Sequence, residues 1–195
     1  MKLPYIFLVV IAYFFVHTQF NRAAQITGNS FYGIQDTRIY DVLHETLPDL
    51  HKMEWATDLM IALSVTPFLL KPNMSFLVEF IGLMLTINII RDVTINMTIL
   101  PKHEKCETST DLRSHIVGSC YDKIFSGHFA FVFVLSLLYY SRGYITNVPA
   151  LIALNVANAA IIILTRSHYT NDIIISFFVC ALVVEKRLNF FRIFK

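Results

Sequence analysis

The sequence predicts an all-α polytopic membrane protein, a bundle of six transmembrane helices. Three observations carry this. Apolar residues make up 55% of the 195-residue chain and charged residues only 15%, against about 25% charged in a soluble domain. The mean hydropathy is +0.57. Continuous apolar runs recur between short polar breaks, where outer-membrane strands would alternate every second residue. A net charge of +2 without a basic block excludes an electrostatic nucleic-acid binder, and the composition excludes a disordered or a soluble multidomain chain. Residues 1–195 read as one integral membrane domain.

The elements follow in order. The runs are Leu3 to Phe20, about Trp55 to Leu70, Met74 to Leu100, Ile124 to Tyr140, Tyr144 to Leu164 and Tyr169 to Val184. A span needs about 17–25 residues, so several are at the short end. Lys2 and the Ala23-Ala24 pair would suit a cleaved signal peptide. Tyr13, Phe14, Phe15 and Phe20 suit a retained interfacial anchor, and retention is expected. Residues Asp36 to Lys52 read as a short amphipathic surface helix with Ile39, Leu43 and Leu47 on one side.

Charge sets the orientation. Lys2, Lys71, Arg142, Lys186, Arg187, Arg192 and Lys195 fall at one set of ends, opposed only by Glu185. Short cationic ends face the cytoplasm. Both termini are therefore expected there, and the segments Asn21 to Glu54 and Pro101 to Lys123 face the lumen or exterior. Cys106 and Cys120 would close a fifteen-residue ring in that oxidising compartment or stay free thiols; Cys180 reads as packing. The sequons at Asn73 and Asn96 fall on the cytoplasmic side and within a span, so neither is expected to carry sugar.

Polar residues in membrane helices require a reason, and the densest set lies near the external ends of the last four runs. His168 and Asp172 are four apart and share a helical face. The carboxylate can fix the imidazole tautomer and leave the other nitrogen to attack, or the two form a simple capping pair. In Ser126-Gly127-His128, serine suits a helix cap, glycine lets backbone approach an anion, and His128 can donate a proton. Arg91 lies ten residues before Pro101. It shares an arc of about 120° with Asn88, Thr94 and Thr98 on one helical face. It reads either as a phosphate fork or as half of a buried pair with Asp92, Asp58 or Glu79. No Cys/His metal pattern and no Gly-rich nucleotide loop is present. Phosphoryl chemistry at the bilayer surface without a cofactor fits this set best.

The stretch Cys120-Tyr121-Asp122-Lys123-Ile124-Phe125-Ser126-Gly127-His128 resembles the Cys-Gly-Asp…Ser-Gly-His motif of the sphingomyelin synthases. His168-Tyr169-Thr170-Asn171-Asp172 is similar to their His-Tyr-Thr-x-Asp motif, and Arg91, Thr94, Thr98, Leu100 and Pro101 to their third-span motif. His103 and Cys106 follow in similar places. Leu47-Pro48-Asp49 resembles a weaker element before the second span. The resemblance covers about residues 46–176. The wider relatives, the lipid phosphate phosphatases, show Pro-Ser-Gly-His and an arginine six residues before the second histidine. Here Phe125 and Ile162 stand at those places, which favours the synthase branch. Tyr121 departs from the family glycine.

The resemblance implies six spans with the site at the external end. It implies an enzyme that moves a phosphoalcohol (phosphocholine, phosphoethanolamine or phosphoinositol) from a glycerophospholipid to ceramide, releasing diacylglycerol. His168, Asp172 and His128 would be catalytic; Arg91, Ser126, Gly127, Arg166 and Tyr169 would bind substrate. Membrane lipids are the expected partners, and a homo-oligomer is compatible with the reading. The membrane would be Golgi, endoplasmic reticulum or plasma membrane. Two further readings stand beside it: a lipid phosphatase or phospholipase C-type hydrolase using water, and a non-catalytic ceramide- or phospholipid-binding protein.

Overall fold

The computed structural model describes residues 3–32, 39–102 and 120–188. The elements are α1 (Leu3–Tyr32), α2 (Val42–Thr46), a 3-10 turn (His51–Met53), α3 (Trp55–Leu70), α4 (Met74–Met97), α5 (Gly127–Ser141), α6 (Val148–Leu164) and α7 (Thr170–Leu188). No strand occurs among the described residues. The six longer helices fall on the six apolar runs. Pro4–Tyr32, His51–Leu70 and Met74–Met97 are long and apolar enough to cross a membrane, as an integral membrane protein requires. The apolar helices α5 and α6 are shorter, with 15 and 17 residues, or about 22 and 25 Å of rise. His103, Cys106 and the ends beyond Leu188 lie outside the described residues.

Helix α1 continues past Phe20, where the apolar run stops, to Tyr32. Hydropathy sets the edge of a run, not the end of a helix. No proline intervenes between those residues, and Ala23 and Ala24 favour helix. Of the surface helix expected over 36–52, the described part from residue 39 is instead two short pieces, α2 and the 3-10 turn, because Pro48 forbids helical continuation.

The chain forms two compact units, residues 1–40 with 88–125, and residues 41–87 with 126–195. In the first, α1 and the end of α4 are joined by polar side chains. His17 Nδ1 meets Asp92 Oδ1 at 2.7 Å, the Tyr13 hydroxyl donates to Asp92 Oδ2 at 3.1 Å, and Asn21 Nδ2 donates to His17 Nε2 at 3.0 Å. Tyr13, His17 and Asn21 recur every fourth residue and therefore share one face of α1. A methyl group added at Gly28 would sit 2.5 Å from the Tyr121 ring, so only glycine admits that ring. The Tyr121 hydroxyl donates to Asn29 at 2.9 Å. Cys120 is disulfide-bonded and Cys180 is free.

In the second unit α5 packs against α3, α6 and α7. Phe129, Ile162, Ile163 and Ile173 form a buried cluster, with Leu43 of α2 packed on it. Local chemistry starts α4, α5 and α6. Asn73 Oδ1 accepts from Ser75 and Phe76 N–H ahead of α4, Ser126 Oγ from Phe129 N–H, and Asn147 Oδ1 from Ala150 N–H. The Tyr139 hydroxyl donates to Ser64 O at 2.8 Å and accepts from Phe68 N–H at 3.3 Å. It thereby bridges the break that Pro67 makes in α3. Arg142 Nε donates to Glu79 at 2.9 Å and fastens the opposite end.

Candidate active site

The site lies where α5 begins, α6 ends and α7 begins. Helix α6 stops at Leu164, and Arg166 turns the chain with a left-handed backbone, φ +60°. His168 follows, buried. Its Nδ1 meets Asp172 Oδ2 at 3.1 Å, and the Tyr169 N–H donates to the same oxygen at 3.0 Å. Asp172 is fully buried in the first turn of α7, where the helix dipole favours a negative charge. A carboxylate only accepts, so His168 carries its proton on Nδ1 and its lone pair on Nε2.

Ser126 caps α5 and places His128 on its first turn. Ser176 Oγ donates to Asp172 O at 2.7 Å and accepts from Ser126 N–H at 2.8 Å. A single hydroxyl therefore joins the turn that carries His128 to the helix that carries Asp172. His128 Nε2 meets Asp58 Oδ1 of α3 at 3.1 Å. Each motif histidine thus has its own carboxylate, Asp58 solvent-facing and Asp172 buried.

The turn after α6 is held by the segment around α2. Asp41 Oδ1 accepts from the Leu43 and His44 amides and caps α2. The same carboxylate accepts from Thr170 N–H at 2.6 Å and Thr170 Oγ1 at 2.7 Å, which caps α7. Burial raises the Asp41 pKa, but the Thr170 and His44 hydrogen bonds outweigh it and hold the carboxyl below its ordinary range. Arg166 donates to His44 O at 2.6 Å and Leu47 O at 2.8 Å, at the C-terminal end of α2. Leu50 N–H donates to Leu164 O at 2.8 Å. The His44 ring lies 5.3 Å from that of Tyr169.

Of the residues expected from the sequence, Ser126, Gly127, His128, Arg166, His168, Tyr169 and Asp172 all belong to the second unit. Arg91 belongs to the first, where its guanidinium meets Asp122 Oδ2 at 2.5 Å and Asp92 Oδ1 at 3.5 Å. That is the buried-pair arrangement, with Asp122 as an added partner. Sequence reasoning missed Asp41 and His44, and considered Asp58 only beside Arg91. Asp41 had a readable signal, an N-cap residue directly before an apolar run; Asp58 and His44 had none.

An apolar cavity of about 530 Å³ runs between α5, α6 and α7, lined by Phe129, Phe133, Val156, Ile173 and Phe177 among others. Its lining starts one residue after His128 on α5 and one after Asp172 on α7. Residues 119–187 match the family described as PAP2 superfamily C-terminal. The match spans both histidine motifs. It supports the superfamily for this part of the chain, and with it phosphatase or phosphotransferase chemistry on phospholipid phosphate esters. No curated protein gives a significant match.

Proposed function

We propose that the protein is a phospholipid head-group transferase that moves a phosphoalcohol from a glycerophospholipid to ceramide through a phosphohistidine. The observation that carries the reading is the buried His168–Asp172 pair at the start of α7, tied through Ser176 to the turn that bears His128. His168 Nε2 attacks phosphorus, and the bond from phosphorus to the diacylglycerol oxygen breaks. His128 gives that oxygen its proton. Asp172 holds the ring and stabilises its positive charge. Diacylglycerol leaves, and the ceramide hydroxyl enters, loses its proton to His128 and attacks phosphorus, breaking the P–N bond. One group acts first as acid and then as base.

Arg166 supports the phosphate in this reading. It is buried, and its second guanidinium nitrogen has no hydrogen-bond partner among the described residues. A buried donor of that kind calls for an acceptor, which a phosphate oxygen supplies. Ser126, Gly127 and Tyr169 complete the expected contacts. The cavity beside the site is apolar and suits a lipid chain. The excess of Lys and Arg at the short ends supports cytoplasmic termini and a lumenal or exterior site, in Golgi, endoplasmic reticulum or plasma membrane.

The test is incubation of purified protein with labelled phosphatidylcholine, phosphatidylethanolamine or phosphatidylinositol plus ceramide, followed by lipid mass spectrometry. Transfer yields a new phosphosphingolipid and diacylglycerol. Release of phosphoalcohol or phosphate alone would make the protein a hydrolase, and binding without turnover would leave a lipid-binding protein.

A further inference from the structure

We propose that His44 is a positioning residue for the nucleophilic histidine and acts through the His168–Tyr169 peptide; the inference rests on the transferase reading. A peptide unit is planar, so holding both its polar ends fixes its orientation. Here both ends are held. His44 Nε2 lies 3.1 Å from the His168 carbonyl oxygen. A carbonyl only accepts, so Nε2 is the donor. On the other side the Tyr169 N–H donates to Asp172 Oδ2 at 3.0 Å. That oxygen also meets His168 Nδ1 at 3.1 Å. The plane of the peptide and the plane of the imidazole are therefore referred to one carboxylate oxygen, and His44 closes the far side.

His44 is itself fixed by what it holds. Its amide donates to Asp41 Oδ1 at 3.1 Å, and Asp41 caps Thr170. Its carbonyl accepts from Arg166 at 2.6 Å. Its ring lies against Tyr169. Each tie returns to residues 166–170. A five-residue helix has no stability of its own, so α2 persists through these ties and its rigidity is the rigidity of the turn. The left-handed backbone of Arg166, a strained state for arginine, persists only where the surroundings over-determine it. Without the His44 donor the peptide is held at its N–H end alone. Its plane then rocks, and Nε2 of His168 loses its line to phosphorus.

Three variants separate this from simple support of the fold. His44→Ala removes donor and ring, His44→Phe keeps a ring against Tyr169 without a donor, and His44→Gln keeps an amide donor near the position of Nε2. Two readouts are needed: kcat and KM for head-group transfer, and hydrogen exchange of the Tyr169 amide without substrate. His44→Ala and His44→Phe are expected to lower kcat about tenfold with KM nearly unchanged, and to speed Tyr169 exchange about tenfold, the scale of one lost hydrogen bond. His44→Gln is expected to restore most of both. Wild-type kcat in folded His44→Phe, or no recovery in His44→Gln, would overturn the proposal. If the wild type transfers nothing, the transferase reading falls, and exchange alone then decides whether His44 grips the peptide: unchanged Tyr169 protection in His44→Phe refutes the grip.

Discussion

Two buried histidine–aspartate pairs, one in each unit, have similar contacts and differ in what surrounds them. His17 and Asp92 meet at 2.7 Å inside the first unit, and both imidazole nitrogens are committed to protein side chains, Nδ1 to Asp92 and Nε2 to Asn21. The pair lies within two long helices and joins them. His168 and Asp172 meet at 3.1 Å at a helix start. Their ring and backbone are referred to a turn that α2 clamps from the other side. Burying a His–Asp pair therefore does not make a nucleophile. In the first unit polar groups satisfy one another inside an apolar helix pair, which is what a membrane interior demands. In the second unit the backbone is spent on orienting one imidazole.

The largest effects should follow from breaking the second pair. His168→Ala should abolish transfer and any hydrolysis. Asp172→Asn should leave the fold intact and slow turnover by about 10⁴, as when a triad aspartate is so changed. Stopped assays on detergent-purified variants with matched melting curves would check this, and near-normal turnover of either variant would erase the distinction between the pairs. His128→Ala should slow turnover by about 10²–10⁴, the range for general acid–base catalysis. A nitrophenyl ester of phosphocholine, whose leaving group needs no proton, should restore the first step, read as a burst of nitrophenol, while transfer to ceramide, which needs His128 as base, stays slow. If instead His128→Ala accumulates no product from that ester while His168→Ala turns it over, the roles are reversed.

Disrupting the first pair should act on stability. His17→Ala leaves Asp92 short of a donor and should cost about 1–3 kcal/mol, with turnover per folded molecule unchanged. A chemical-denaturation series with parallel rate measurements would separate the two, and a rate loss without a stability loss would assign chemistry to the first unit.

Asp41 sharpens the account of the clamp. Asp41→Ala removes the caps of α2 and α7 and should cost about 2 kcal/mol. Its folded pKa lies below its unfolded one. The stabilisation is therefore complete above about pH 4 and disappears as pH falls through the lower folded value. Acid titration of wild type and Asp41→Asn, followed by near-ultraviolet circular dichroism, should show the wild-type advantage shrinking on acidification. An advantage that grows would contradict the sign. The smallest effect concerns a polar group the fold leaves unsatisfied. Asn158 is fully buried in α6, and neither side-chain polar atom has a hydrogen-bond partner among the described residues. Asn158→Leu should raise stability by up to about 1 kcal/mol, read as a higher melting temperature; a clear loss would reveal a partner such as an ordered water.

The helices and much of the site are legible in the residues because their signals are local. Trp55–Leu70 is both an apolar run and a helix, since what excludes water also leaves backbone groups only one another to bond. His168 and Asp172 stand one helical turn apart, and Ser126 announces a helix start, so geometry follows from spacing. Tertiary structure decided the rest. Arg91 had several carboxylates in prospect, and folding paired it with Asp122 as well as Asp92. His17 lies unmarked within an apolar run, and only Asp92 from another helix explains it. His44 and Arg166 reach one another's segments across more than a hundred residues of chain. Such bonds leave no periodicity, because they depend on where two remote backbones come to rest, and that is set by the packing of Leu43 on the α5–α7 cluster rather than by any neighbour in sequence.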